Sequence, residues 1–366
     1  QGGQSLPLTL TRMTKEAVVV RPQTPKPPFP YQTEEVAYAN PKAMGVSIAG
    51  TLSVPAGAGP FPVVLFITGS GPQDRDETIM EHKPFAVIAD YLARRGIASL
   101  RVDDRSVGKS TGDLAKATSA DFAEDARAGV AFLKGRAEVN AKQVGLLGHS
   151  EGGLIAPMIA SNNPDIAFVV LLAGPGASGK EIILEQQKAV VTAMGAPEAM
   201  LAENQRFSKA VIAIIEQDKD PVAARKKINA FIAKEVVAVP VAQRKAVTRQ
   251  LQNGFLPWTE PWFTYFMRYE PAPVLQSVSC PVLALNGSLD LQVLPKQNLP
   301  LLEAALQKGN NKDVTVKELP GLNHLFQHAK TGSPMEYATI TETFAPEALA
   351  IIGDWIAERT KPVAVP

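Results

Sequence analysis

A single cysteine, Cys280, stands in the whole chain, so no intrachain disulfide can form. It lies in an apolar stretch and reads as a core residue rather than a reactive thiol. No apolar run reaches the roughly 18 residues of a membrane-spanning helix, and no transmembrane segment is expected. The most apolar stretches, Pro62 to Ile67 and Ile166 to Ala173, have the length of strands. Charge of one sign is lacking too: 37 basic residues face 36 acidic ones, net +1, with no basic or acidic block. Nothing therefore points to nucleic acid or a polyanionic partner. Histidine is scarce, with four in the chain. No His/Cys/Asp spacing resembles a zinc site, so neither metal nor cofactor is expected. An initiator methionine is absent. The start, Gln1-Gly2-Gly3-Gln4, could be a mature end left by removal of an export signal or a start introduced for expression.

What the chain does have is length and apolar content. At 366 residues and 45% hydrophobic, it can bury a sizeable core as one large domain with an insertion or as two domains. Residues 1–45 form an expected N-terminal extension. Leu8 to Thr11 and Ala17 to Arg21 could be short strands, and the proline-rich run from Arg21 to Pro30 reads as an extended linker or strap. Val36 to Tyr38 and Gly45 to Val54 look like an antiparallel pair. Strands are then expected at Pro62–Ile67, Ile97–Val102, Val144–Leu147 and Ile166–Ala173. Helices are expected at Pro84–Gly96, Ser119–Ala137 and Gly152–Ala160. The alternation predicts an α/β fold, a mostly parallel doubly wound sheet with helices on both faces. It stops near Gly174. Residues 178–272 read as helices and are expected to form an inserted cap, so the core is divided into 46–177 and 273–366. In the second part, strands at Pro281–Leu285 and Val314–Leu319 alternate with helices at Leu299–Lys308 and Pro346–Arg359.

The chemistry centres on Gly148-His149-Ser150-Glu151-Gly152, a G-x-S-x-G pentapeptide. Alone it is a weak signal. Here a strand precedes it and a helix follows, the strand–turn–helix that a nucleophile elbow requires. Ser150 is the candidate nucleophile, and a serine hydroxyl needs a base to take its proton. His149 should point away from its neighbour. Since the base follows the nucleophile and the acid in this arrangement, His324 and His328 remain. His324, in the loop after the Val314–Leu319 strand, is the better placed, and His328 reads as a solvated or packed helix residue. The acid should end an earlier strand. Asp290, after Pro281–Leu285, satisfies this, whereas the alternative, Asp313, begins a strand. Oxyanion donors are expected from Glu151 and from the loop Thr68-Gly69-Ser70-Gly71-Pro72, with Ser70 ahead of Gly71.

Other groups invite weaker readings. In Asp74-Arg75-Asp76, the arginine is expected to be held by its two neighbouring carboxylates and to stiffen the loop. Asp103-Asp104-Arg105 with Gly108-Lys109-Ser110 reads as a structural turn near the site. The aromatic segment from Phe255 to Tyr269 either packs a cap onto the core or roofs an apolar pocket. His149, Trp258, Trp262 and Phe266 are its candidate pocket residues.

These residues resemble the α/β-hydrolase superfamily. More narrowly, Gly69-Ser70-Gly71-Pro72-Gln73-Asp74-Arg75-Asp76, His82-Lys83-Pro84-Phe85, Gly148-His149-Ser150-Glu151-Gly152-Gly153 and Leu322-Asn323-His324 resemble a group of bacterial serine carboxylesterases. The resemblance runs from about Arg21 to Ala357. It implies a helical cap, no cofactor, esterase activity on small acyl esters, and a periplasmic or secreted location, with the cytoplasm as the alternative. One departure is Ser106, where the group carries Gly in Asp-Arg-Gly-x-Gly. The expected activity is a serine esterase acting on a small-molecule ester. A peptidase or acylaminoacyl hydrolase, a thioesterase or acyltransferase, and a noncatalytic binding protein are the alternatives. Fold alone does not choose a substrate.

Overall fold

The computed structural model describes residues 21–361, so the possible strands at Leu8–Thr11 and Ala17–Arg21 lie outside the described residues, save Arg21 itself. Eight strands form one sheet. They are β1 (Gln32–Ala39), β2 (Ser47–Val54), β3 (Phe61–Ile67), β4 (Ala98–Val102), β5 (Val139–His149), β6 (Phe168–Leu172), β7 (Val282–Gly287) and β8 (Val314–Leu319). Their order is β1-β2-β4-β3-β5-β6-β7-β8. β1 and β2 pair antiparallel, as do β2 and β4. From β4 onward every pairing is parallel.

Side-chain alternation builds two cores from one sheet. Along β3, Val63, Leu65 and Ile67 face one side and Val64 and Phe66 the other. The first side is covered by α2 (Ser119–Lys134), α3 (Glu151–Ala160) and α10 (Pro295–Lys308), through Leu133, Leu154, Ile159 and Leu302. The second is covered by α1 (Pro84–Ala93) and α11 (Pro346–Thr360), through Phe85, Ile88, Ile352 and Ile356. A sheet buried on both faces needs continuous apolar strands, which is why β3, β6 and β7 read so plainly in the sequence.

Boundaries moved where local chemistry intervened. β5 begins at Val139, earlier than expected, because its polar start Asn140 to Gln143 bulges away from β3 and carries no apolar pattern. α2 stops at Lys134, with Gly135 as its C-cap. α10 starts at Pro295, whose ring suits the first helical turn. The division expected at residue 45 falls within the β1–β2 pair, so the sheet itself starts at Gln32. The proline-rich strap is pinned by side chains. Arg21 Nη1 donates to the Ile340 carbonyl (2.7 Å), and Gln23 Nε2 to that of Phe344 (2.7 Å).

Between β6 and β7 the chain leaves the sheet for α4 (Gly179–Ala193), α5 (Glu198–Gln217), α6 (Pro221–Glu235), α7 (Val241–Phe255), α8 (Pro261–Arg268) and α9 (Pro271–Leu275). This insertion has its own apolar cluster, including Phe207, Val211, Ile215, Ile228 and Ile232. No described helix is long and apolar enough to cross a membrane.

Candidate active site

Ser150 lies between β5 and α3 with φ 52° and ψ −116°, a backbone strained for a residue with a Cβ. Tight packing imposes this turn. A Cβ at Gly148 would stand 2.0 Å from the Gly152 carbonyl oxygen, and one at Gly152 would stand 2.0 Å from that of Ile67. Both obstacles are backbone, so neither position tolerates a side chain. The Ser150 amide donates to Leu172 O at 2.9 Å, which ties the turn to the end of β6. The Ser150 hydroxyl makes no hydrogen bond among the described residues and lines a cavity of about 240 Å³.

His324 and Asp290 meet directly. His324 Nδ1 lies 2.8 Å from Asp290 Oδ2, and both side chains are buried. With Nδ1–H donated to the carboxylate, Nε2 is the ring's free acceptor. Asp290 Oδ1 is held by the amides of Gln292 (2.8 Å) and Val293 (2.9 Å). The His324 loop is set by Asn323, whose Oδ1 accepts from the amides of Leu325 and Gln327 at 3.0 Å each. The competing residues stand elsewhere. Asp313 pairs with Arg359, and His328 is exposed between Glu342 and Glu347. His328 follows an irregular loop and is not in a helix.

Ser70 and Glu151 line the same cavity as Ser150. Gly71 stands one residue further out, exposed, at φ 98°. Trp262 and Phe266 also line the cavity, joined by Ile182, Ile183, Gln186, Phe263 and Gln292. Two expected pocket residues do not. Trp258 sits in a short 3₁₀ turn that directs it inward, stacked on Phe263 (5.1 Å, 13°) and one layer behind the wall. His149 is turned to the opposite side of the strand end from Ser150. Its Nδ1 meets Glu77 Oε1 at 2.9 Å and its Nε2 donates to the His324 carbonyl at 2.9 Å.

Glu77 was not legible as a site residue. Its Oε1 also accepts the Gly69 amide (2.6 Å), so one buried carboxylate joins the loop after β3, the elbow and, through His149, the His324 loop. Burial disfavours the His149 imidazolium, but the Glu77 charge and hydrogen bond outweigh it and hold its pKa above the ordinary value. The rings of His149 and His324 lie 4.7 Å apart. The acid that braces the Gly69–Gln73 loop comes from outside it. Asp104, after β4, accepts from Thr68 Oγ1 (2.8 Å) and the Gln73 amide (2.9 Å). Burial pushes it up to about 8, with the charges of Glu151 and Glu77 adding to the effect.

Arg75 is held by carboxylates, but not by its sequence neighbours. It pairs with Asp103 (2.7 Å) and Glu35 (2.8 Å), because the sheet order brings β1, β2 and the end of β4 beside its loop. Asp74 instead turns back onto Thr78, and Asp76 pairs with Arg101 and Lys83. Burial pushes the Cys280 thiol up to about 11, as suits a packed residue. Among the described residues, no cluster of three His, Cys, Asp or Glu side chains could hold a metal ion.

Similar proteins agree with this architecture. Esterase EstD of Thermotoga maritima is 29% identical over 293 residues, covering 79% of this chain and 61% of that protein, so the chain spans about three fifths of its length. The Pyrococcus furiosus esterase Pf2001 superposes with a TM-score of 0.54 at 16% identity, covering 90% of this chain and 91% of its own. The α/β hydrolase GrgF of Penicillium gives 0.55 at 18%, covering 90% and 99%. Protein PA2218 of Pseudomonas aeruginosa gives 0.57 at 16%, covering 97% and 100%. At such identities these structures establish the fold, which is that of the α/β-hydrolases. The sequence model of the X-Pro dipeptidyl-peptidase (S15) family matches residues 44–328, most of the chain, and the protein belongs to that family.

Proposed function

We propose that the protein is a serine esterase that cleaves small carboxylic esters through an acyl-enzyme on Ser150. The observation that carries this reading is the buried His324–Asp290 pair, held beside the elbow by the His149 bond to the His324 carbonyl. Ser150 Oγ attacks the ester carbonyl as His324 Nε2 takes its proton, and Asp290 stabilises the imidazolium that forms. The backbone amides of Glu151 and Ser70 receive the oxyanion. His324 then protonates the departing alcohol, and water, deprotonated by the same histidine, releases the acid. Helices α4–α9 act as the cap over this site.

The cavity supports a small substrate. At about 240 Å³ it lies below the range of roughly 300–1,000 Å³ typical of drug-sized ligands. Its walls, Ile182, Ile183, Phe263 and Phe266, suit an apolar acyl group. The relative named an esterase favours the same chemistry. The family description favours a second reading, a peptidase releasing X-Pro dipeptides on the same residues. Turnover of p-nitrophenyl acetate beside Gly-Pro-p-nitroanilide separates the two. The esterase reading expects cleavage of the ester, little of the anilide, and loss of nearly all turnover in Ser150→Ala. Ester turnover that survives this substitution rules out Ser150 as the nucleophile.

A further inference from the structure

The Ser150 cavity is walled on its cap side by an aromatic group from α8. Trp262 lies parallel to Phe266 (centroids 5.5 Å apart, 7°) and meets Phe263 edge-on (5.5 Å, 81°). All three line the cavity. Beyond the packing of Phe266 on the core, a side-chain hydrogen bond ties this group down. Trp262 Nε1 donates to Glu151 Oε1 at 2.7 Å, and Ser119 Oγ donates to the same oxygen at 2.6 Å. One carboxylate thus joins the first residues of α2 and α3 to the inserted helices.

The elbow does not require this side chain. Its oxyanion role needs only the amide of residue 151, which any residue other than proline supplies. Yet position 151 carries an acid that is 4% exposed. A buried carboxylate is unfavourable unless donors meet it, and here one of the two donors comes from the wall of the pocket. We propose that Glu151 determines specificity: through Trp262 Nε1 it fixes the indole as the wall of the Ser150 cavity, and this wall restricts the acyl group to short chains. The chain-length claim rests on the esterase reading; the clasp itself does not.

The clasp should respond to pH. Burial pushes the Glu151 carboxyl up to about 7, against the hydrogen bonds from Ser119 and Trp262 that lower it. Above that pH the bonds are charge-assisted, and below it the acid must also place its own proton. Asp103, Asp104, Arg105 and Asp125 share the small cavity beneath Glu151, and α8 presents the neutral Trp262.

The test uses the full chain with Trp262→Phe, Glu151→Leu, Glu151→Gln and the Glu151→Leu/Trp262→Phe double variant, each checked for folding by thermal melting. The readout is the ratio of kcat/KM for p-nitrophenyl octanoate to that for the acetate. Trp262→Phe and Glu151→Leu should each raise this ratio about tenfold, mainly through KM for the octanoate, and the double variant should go no further. Glu151→Gln keeps an acceptor for the indole and should keep the selectivity. A ratio within about twofold of wild type in Trp262→Phe, or a double variant equal to the product of the singles, overturns the proposal. If Glu151→Leu does not fold, Trp262→Phe decides the wall and the fluorescence titration below decides the role of Glu151. A second readout is independent of activity. The tryptophan fluorescence of wild type minus that of Trp262→Phe should titrate near the Glu151 value and be flat in Glu151→Gln. If wild type cleaves no p-nitrophenyl ester, the esterase reading and the chain-length claim fall together, while a flat wild-type titration overturns the clasp.

Discussion

Ser106 shows how one side chain can offset its own backbone. It occupies φ 62°, a conformation that favours glycine, at the position where the carboxylesterase group it resembles carries Gly. The hydroxyl donates to the Gly112 carbonyl at 2.6 Å and closes the turn after Arg105. A left-handed residue with a Cβ costs about 1–2 kcal/mol, and a net hydrogen bond contributes about 1 kcal/mol. Ser106→Ala keeps the strain and loses the bond, so it should lower stability by about 1 kcal/mol in a urea melt. Ser106→Gly relieves the strain but frees the unfolded chain, and should be near neutral. At this scale the sequence was most legible where chemistry restricts choice. Four histidines left His324 as the better-placed candidate base over His328, and strand ends left Asp290 as the candidate acid over Asp313. Glu77 and Asp104 were not legible, because their partners lie in other loops and no local spacing signals them.

The loop after β3, the elbow after β5 and the His324 loop after β8 are separate in sequence and joined by Glu77 and His149. The His324 carbonyl can only accept, so His149 Nε2 carries a proton, and the Glu77–His149 contact needs another. Glutamine at position 77 cannot satisfy both the Gly69 amide and His149 unless the imidazolium stays charged without a counterion. Glu77→Gln should therefore loosen the Gly69–Gln73 loop and the His324 loop together. In steady-state assays kcat should fall by up to about a hundredfold with KM changed much less. A fall in KM-dependent binding alone would contradict this frame. Element by element, the core strands read clearly because both their faces are buried. The start of β5 did not, since its bulge is shaped by the neighbouring strand. The helices between β6 and β7 were legible as helices, but which aromatic faced the substrate was not. Trp258 and Trp262 are four residues apart on the same segment, and a 3₁₀ turn between α7 and α8 separates their environments.

For the whole molecule, the buried acids set a pH dependence of stability. Glu151 is pushed up to about 7 and Asp104 up to about 8, against ordinary values of 4.5 and 3.8. In both cases the folded state binds a proton more tightly than the unfolded chain. Their contribution to stability is complete below the unfolded values and is lost as pH rises through the folded ones. The raised value of His149 acts in the same direction. Melting temperature should decline from about pH 4.5 to about pH 8, each group contributing at most about 1.4 kcal/mol per pH unit. Asp104→Asn can accept from the Gln73 amide and donate to Thr68 Oγ1, so it should flatten this slope while keeping the loop in place. An unchanged slope would locate the protons elsewhere. The sequence by itself determined the parallel sheet and the strand–turn–helix around Ser150, and it favoured Asp290 and His324 over Asp313 and His328, because burial on both faces, a crowded turn and the order of strand ends each leave a local or ordered mark. Only the tertiary structure decided what surrounds Ser150: the Glu77–His149 frame, the Asp104 brace and the Glu151 contact with Trp262. Those are bonds between distant segments, and their energy depends on burial that no stretch of sequence contains.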